Sequence, residues 1–348
     1  MNQTLNGIRR ILITILVAMG VGALFIVAIG ENPIDAYAAL FRGAFDGELR
    51  LGTTLAGFTP LLLTSTAFAV AAKAGAFNVG VEGEVFLGGI TAAYIGINWT
   101  FLPKPALYVA CFVGAMVVAA AWALIPAVLR AYYNVNEVCT TILMNTVALY
   151  ITSYLVSGPM SAGTANAQSL PVTVRLYQFM KPSSVNVGIF IAAITVIVII
   201  FMLQKSSWGY KIRTVGLNPT HADYVGIDSK KVFVGAMMLS GMLGGMAGCI
   251  EVLGVHGYFL NNFATGLGSN GMLAALIVKN NMVSTPFMAF FLAVLKSGAM
   301  GMQQSTGVPK SLVDTITAVF IIIATMETAF QFTKKRKKKT EEKKEDKA

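Results

Sequence analysis

Apolar runs of about twenty residues recur along this chain, and nothing else in it restricts the fold as strongly. They lie at about 11–30, 52–73, 106–129, 138–157, 187–204, 232–254 and 311–332, with a glycine-rich eighth at about 81–98. A helix rises about 1.5 Å per residue, so each run is long enough to cross the roughly 30 Å hydrocarbon layer of a bilayer. Residues 263–302 need a different reading, because a single helix of that length would extend about 60 Å. Lys279, Asn280, Asn281, Ser284 and Pro286 fall in its middle. Two short helices joined by a polar hairpin fit better. The total is then about ten.

Composition agrees. The chain is 55% apolar and only 12% charged, too little polar material to clothe a water-soluble core. Soluble enzymes, DNA-binding proteins and secreted disulfide scaffolds are excluded. The expected class is an all-α, polytopic membrane protein. Residues 1–333 form the membrane domain and 334–348 a charged tail. That tail carries nine basic and four acidic residues, half of the +10 net charge; it suits a solvated end or an anionic-lipid contact, and nucleic acid is not expected as a partner.

Charge also orients the chain. Arg9 and Arg10 precede the first run, which is longer than a signal-peptide core, and the lysine-rich tail follows the last. Both ends inside requires an even number of crossings, and ten also puts Lys73, Arg130, the 205–231 loop and Lys279 in the cytoplasm. The 31–51 connection, with Glu31, Asp35, Asp46 and Glu48 against Arg42 and Arg50, falls outside. Lys104, Arg175 and Lys181 run mildly against the rule.

A carboxylate facing lipid is costly, so Glu82, Glu84, Glu137, Glu251, Asp314 and Glu327 must face protein, water or an interface. Gly80-Val-Glu82-Gly-Glu84, preceded by Phe77-Asn78, is the densest polar cluster. It reads either as part of a substrate path or as an interfacial turn. Asn145, within Thr140-Thr141-Ile-Leu-Met-Asn145, can bond a polar ligand or a neighbouring helix. Lys296 needs an anionic partner or a snorkelling position. Two overlapping small-xxx-small pairs, Gly241/Gly245 and Gly244/Gly248, predict close helix packing. Cys111, Cys139 and Cys249 lie apart in apolar stretches and read as core residues; with only His221 and His256 available, no metal site is expected. No phosphate-binding G-x-x-x-x-G-K-[ST] run exists, and no Ser/His/Asp set can be assembled, so catalytic residues are not expected.

One segment narrows the class. Gly209-Tyr-Lys-Ile-Arg213-Thr-Val-Gly216-Leu-Asn218-Pro219-Thr-His-Ala222-Asp-Tyr-Val-Gly226-Ile227, followed by a helix with Ser240-Gly241 and Ala247-Gly248, resembles the cytoplasmic coupling segment of ABC importer permeases. The branch is the one for ribose, other simple sugars, branched-chain amino acids and nucleosides. His221 stands where such families usually have a second alanine. Thr59-Pro60 through Gly83, and Asn134-Val-Asn136-Glu137 with Thr141 to Asn145, are similar to further helices of that branch. Met302-Gln303, Gly307-Val308-Pro309 and Leu312-Val313 lean toward its nucleoside members.

The resemblance implies a plasma-membrane subunit that binds no cofactor itself. ATP and magnesium would sit on a partner ATPase docked on loop 205–231, through Arg213, Gly216, Asn218, Pro219, Ala222, Gly226 and Ile227. A second permease would complete the pore, as a homologous heteromer or a homodimer, and a solute-binding lipoprotein would deliver substrate from outside. Asn78, Glu82, Glu84, Thr141 and Asn145 are the candidate pathway groups. The residues themselves give Asn218-Pro219 as a helix start and Gly226 as its stop. The alternatives are a simple-sugar permease and an ion-coupled secondary transporter.

Overall fold

The computed structural model describes residues 19–28 and 30–306, together with 311, 314, 315 and 318. The first and last apolar runs lie partly or wholly outside these residues, as do Arg9, Arg10, Glu327, the basic tail, and the Gly307-Val308-Pro309 and Leu312-Val313 positions. Among the described residues the fold is helical throughout, without strands and with three isolated β-bridges.

The helices are α1 Met19–Ala28, α2 Pro33–Phe45, α3 Gly47–Lys73, α4 Val81–Asn98, α5 Lys104–Tyr133, α6 Glu137–Ser157, α7 Gly188–Lys205, α8 Ser207–Leu217, α9 Pro219–Tyr224, α10 Ser229–Ile250, α11 Leu267–Ile277 and α12 Thr285–Thr306. Six described helices are long and apolar enough to cross a membrane: α3, α5, α6, α7, α10 with its extension to His256, and α12. The 263–302 stretch does split at a polar turn, where Lys279 and Asn280 both take positive φ. Only one of its two helices is short: α12 has 22 residues and α11 has 11. The 31–51 connection is mostly helix rather than loop.

Two compact units divide the chain, one spanning Asp46–Val294 and the other made of the described residues up to Phe45 and from Leu295 onward. In the smaller unit, α1 and α2 meet at a bend of 116°. Ile26, Ala36, Leu40, Ala299 and Met302 form its core. Gly43 and Gly301 sit backbone to backbone there, so neither can carry a side chain without displacing the other.

In the larger unit α10 packs against α3, α4 and α5, and α4 in turn against α5 and α6. The reason lies in the glycines. Gly241 and Gly245 face α5, where a Cβ would strike the carbonyls of Ala119 and Ala115; Gly244 and Gly248 face α4, against Glu84 and the carbonyl of Val85. One small-residue stripe thus serves each neighbour. Gly88 of α4 meets the backbone of Gly245, bringing the two helices to main-chain contact.

The last turn of α10 widens into a π-helical segment, Glu251–His256. Widening leaves carbonyls exposed, and the long 158–187 connection satisfies them: Leu176 N donates to Leu253 O at 2.9 Å, Gln178 Nε2 to Gly254 O at 2.9 Å and Arg175 Nη2 to Val255 O at 3.3 Å. Val172, Val174 and Val185 of this connection are buried. It is a lid sealed onto α10. Cys111 and Cys249 are core residues, whereas Cys139 is exposed on the first turn of α6, contrary to expectation.

Candidate functional site

At the end of the larger unit that holds Lys73, Arg130 and Lys205, a chain of caps builds a stiff projection. Asn218 is extended (φ −158°, ψ 102°), as a residue before proline must be, and its side chain accepts from His221 N at 3.0 Å. Pro219 opens α9 where its missing N–H costs nothing. Gly226, at φ +82°, turns the chain away, and Ile227 N closes back on Ala222 O at 2.9 Å. Asp223 accepts from Ser229 N and Oγ, each at 2.9 Å, and Asp228 caps α10 by accepting from Lys231 N at 3.0 Å. Donation from the Lys231 backbone, then from its ammonium, holds the Asp228 carboxyl below the usual carboxylate range. Every turn from 218 to 231 is thereby tied.

Ala222 is the buried residue of α9. Leu217, Tyr224 and Val225 are 88%, 86% and 54% exposed, an apolar tip on a projection anchored through one methyl group. The segment preceding it is α8, a helix that charge and composition gave no reason to expect. Ser206 caps it by accepting from Gly209 N at 3.0 Å, and Gly209 packs on the carbonyls that end α7. Gly216 rests on the carbonyl of Lys73, where a Cβ has no room, with Gly75 (φ +80°) facing it. Of the expected coupling residues, Gly216, Asn218, Pro219, Ala222, Gly226 and Ile227 are therefore structural members of one rigid unit, and Arg213 lines a cavity beside it.

The turn under Gly216 runs into the second cluster. Asn78 donates through Nδ2 to Glu84 Oε1 at 2.8 Å and to Ser240 Oγ at 2.9 Å, and accepts from Gly80 N at 2.9 Å. Glu84 Oε2 is buried without a hydrogen-bond partner. Asn145 reaches from α6 with both ends of its amide: Oδ1 accepts from Gly83 N at 2.8 Å, and Nδ2 donates to Val79 O at 2.9 Å. Thr141 donates to Glu137 O at 2.7 Å within its own helix and packs against Gly80. Glu82 alone of the five points to a less enclosed surface, where Ser269 Oγ donates to its Oε2 at 3.3 Å. Asn78, Glu84, Thr141 and Asn145 thus converge on the first turn of α4, which is unbroken helix from Val81. Ser240 belongs to this cluster, yet in sequence it is one hydroxyl in an apolar helix. Arg130 and Glu137, 3.1 Å apart, form an ion pair joining α5 to α6 that sequence spacing did not predict.

The geometry is that of a stiff projection seated on a helical bundle. Residues 50–325 match the family described as "Branched-chain amino acid transport system / permease component". This chain belongs to that family. The permease is similar to the guanosine ABC transporter permease protein NupP of Bacillus subtilis, at 32% identity over 94% of this chain and 96% of the relative. It is also similar to the nucleoside ABC transporter permease protein NupB of Lactococcus lactis subsp. cremoris, at 30% identity over 92% and 91%. The glucose ABC transporter permease protein TsgB13 of Haloferax volcanii matches at 32% over 89% and 85%. The permease is therefore the membrane component of an ATP-binding cassette transport system, and a multi-pass protein of the plasma membrane.

Proposed function

We propose that this permease forms part of the translocation pathway of a nucleoside importer and draws its driving force from a separate ATPase. The observation that carries this reading is the likeness, over nearly the whole chain, to permeases named for guanosine and for nucleosides. The α8–α9 projection supports it, because a stiff, apolar-tipped lever seated on the bundle is what a docked motor protein needs in order to move it.

In this reading the basic end, with Lys73, Arg130, Lys205, Lys211, Arg213, Lys230 and Lys231, faces the cytoplasm. The chain crosses the bilayer ten times with both termini inside. Leu217, Tyr224 and Val225 seat in the ATPase, which holds the ATP and magnesium. Motion of that partner passes through Gly216 to the 74–80 turn, and from there to Asn78 and the start of α4. Glu82 faces the pathway, and Asn78, Glu84, Thr141 and Asn145, whose polar groups are turned onto one another and onto the backbone, hold the start of α4 that borders it. A second, homologous permease completes the pore, and a lipoprotein delivers solute at the opposite end.

The test is uptake of radiolabelled guanosine into proteoliposomes holding both permeases, the ATPase and the lipoprotein. Accumulation that requires ATP is expected; accumulation driven by a proton or sodium gradient without any ATPase overturns the proposal. A simple-sugar reading is favoured by the glucose permease relative, and competition by glucose rather than by unlabelled nucleosides would select it.

A further inference from the structure

We propose that the cavity of about 480 Å³ at the foot of α7 binds the headgroup of an anionic phospholipid. Its cations are Lys205, Lys211 and Arg213, beside the neutral polar groups of Gln204, Ser206, Ser207 and Tyr210, and Val225 and Ile227 close it from the lever. Arg213 Nη1 is shielded from solvent and has no hydrogen-bond partner. Among the described residues, the ion pairs at this end join Arg130 to Glu137 and Lys231 to Asp228, and none includes Lys205, Lys211 or Arg213. Asp223, the next carboxylate along the chain, is occupied by Ser229. Lys73 adds a further like charge near Arg213 rather than a counter-ion. One edge of the Arg213 guanidinium is withdrawn from water, and among the described residues no carboxylate pairs with it.

What selects a lipid is the surface above the cavity. Phe190, Ile194, Ile197, Val198 and Phe201 of α7 are between 56% and 67% exposed. Their spacing of four, seven, eight and eleven residues keeps them on one face, and Lys205 continues that face one turn below Phe201. Acyl chains lying along the stripe bring a phosphate to Lys205, Lys211 and Arg213 at the level where the helix leaves the hydrocarbon. The comparable exposed stripe of α5, through Val109, Val113 and Val117, descends toward Arg130, which Glu137 already neutralises at 3.1 Å. Of these two stripes, the α7 one leads to cations with no ion-pair partner among the described residues.

The test is native mass spectrometry of the whole permease in mild detergent with equimolar dioleoyl phosphatidylglycerol and phosphatidylcholine. Phosphatidylglycerol is expected to be retained at least about fivefold better, since each basic side chain near an anionic headgroup contributes roughly that factor. The preference should fall about fivefold in Arg213→Gln and further in the double variant Lys205→Gln/Lys211→Gln, and be largely kept in Arg213→Lys. Lys104→Gln, at the opposite end, should leave it unchanged. Equal retention of the two lipids, or a preference indifferent to these substitutions, overturns the proposal. Retention of glycerol 3-phosphate as well as the lipid would make this a free-phosphate site, and loss of the preference on assembly with the ATPase would assign it to an acidic side chain of that protein; both results also overturn the lipid assignment. No readout here involves substrate or ATP turnover, so the outcome is separate from that of the nucleoside reading.

Discussion

Asn78 donates to Glu84 across 2.8 Å, and each of the two residues is 1% exposed. The same amide also holds Ser240 of α10 at 2.9 Å, so three elements share one polar node, in which Glu84 Oε2 is left without a partner. The node lies directly behind the turn on which the α8 lever rests. Rigidity here is what would let a push on α9 reach α4 rather than dissipate.

Removing the amide should expose the cost of that arrangement. Asn78→Ala leaves Glu84 Oε1 and Ser240 Oγ without their partner, and each orphaned buried group costs on the order of 1–3 kcal/mol. Thermal unfolding of the detergent-purified protein should fall clearly. Glu84→Gln keeps the acceptor and the shape, and should unfold close to the parent. An Asn78→Ala/Glu84→Ala cycle with strictly additive losses would show that the two do not couple.

Asn145 is expected to matter for the fold before it matters for any solute. Its amide satisfies the N–H of Gly83 and the carbonyl of Val79, joining α6 to the start of α4. Asn145→Leu keeps the bulk and abandons both, at roughly 2–6 kcal/mol for two orphaned groups. Expression and monodispersity on fluorescence size-exclusion chromatography should drop, while Thr146→Val on the exposed face of the same helix should not change them.

The glycine stripes predict a sharp contrast. Gly245→Leu must push apart α10 and α5 at the carbonyl of Ala115 and should prevent a folded permease from accumulating, beyond the roughly 1–3 kcal/mol of ordinary overpacking. Gly57→Ala, where an added Cβ meets nothing within 4 Å, should be silent. Equal loss in both would refute the close-packing account.

The lever can be loosened without touching its contacts. Gly226 has φ +82° and open space around its Cβ position, so Gly226→Ala imposes only backbone strain of about 1–2 kcal/mol. Asn218→Ala removes the α9 cap at about 1 kcal/mol. Both variants should keep the global melting temperature nearly intact and lower solute uptake per ATP hydrolysed in the reconstituted transporter. Unchanged coupling in both would argue that the stiffness of 218–231 is incidental.

Much of the fold is legible without coordinates because membrane insertion ties apolar length to helix length. The runs at 52–73, 106–129, 138–157, 187–204 and 232–254 correspond to α3, α5, α6, α7 and α10 within a few residues at most ends. Asn218-Pro219 and Gly226 fixed α9 for the same kind of local reason: proline and glycine constrain their own backbone wherever they stand. The glycine spacing in α10 foretold close packing, since a missing side chain is a property of the residue itself.

Partnership was decided elsewhere. Which stripe of α10 meets α4 and which meets α5, the closure of Asn78 on Glu84 and Ser240, the use of both ends of Asn145, and the seating of the 158–187 lid on the π-turn all join residues far apart in the chain. Local propensity carries no term for such contacts, because a polar group buried in a bilayer protein is satisfied by whatever the packing brings within about 3 Å of it. Sequence set the lengths and the turns; tertiary structure alone decided which polar groups found one another and which, like Arg213 Nη1, were left open.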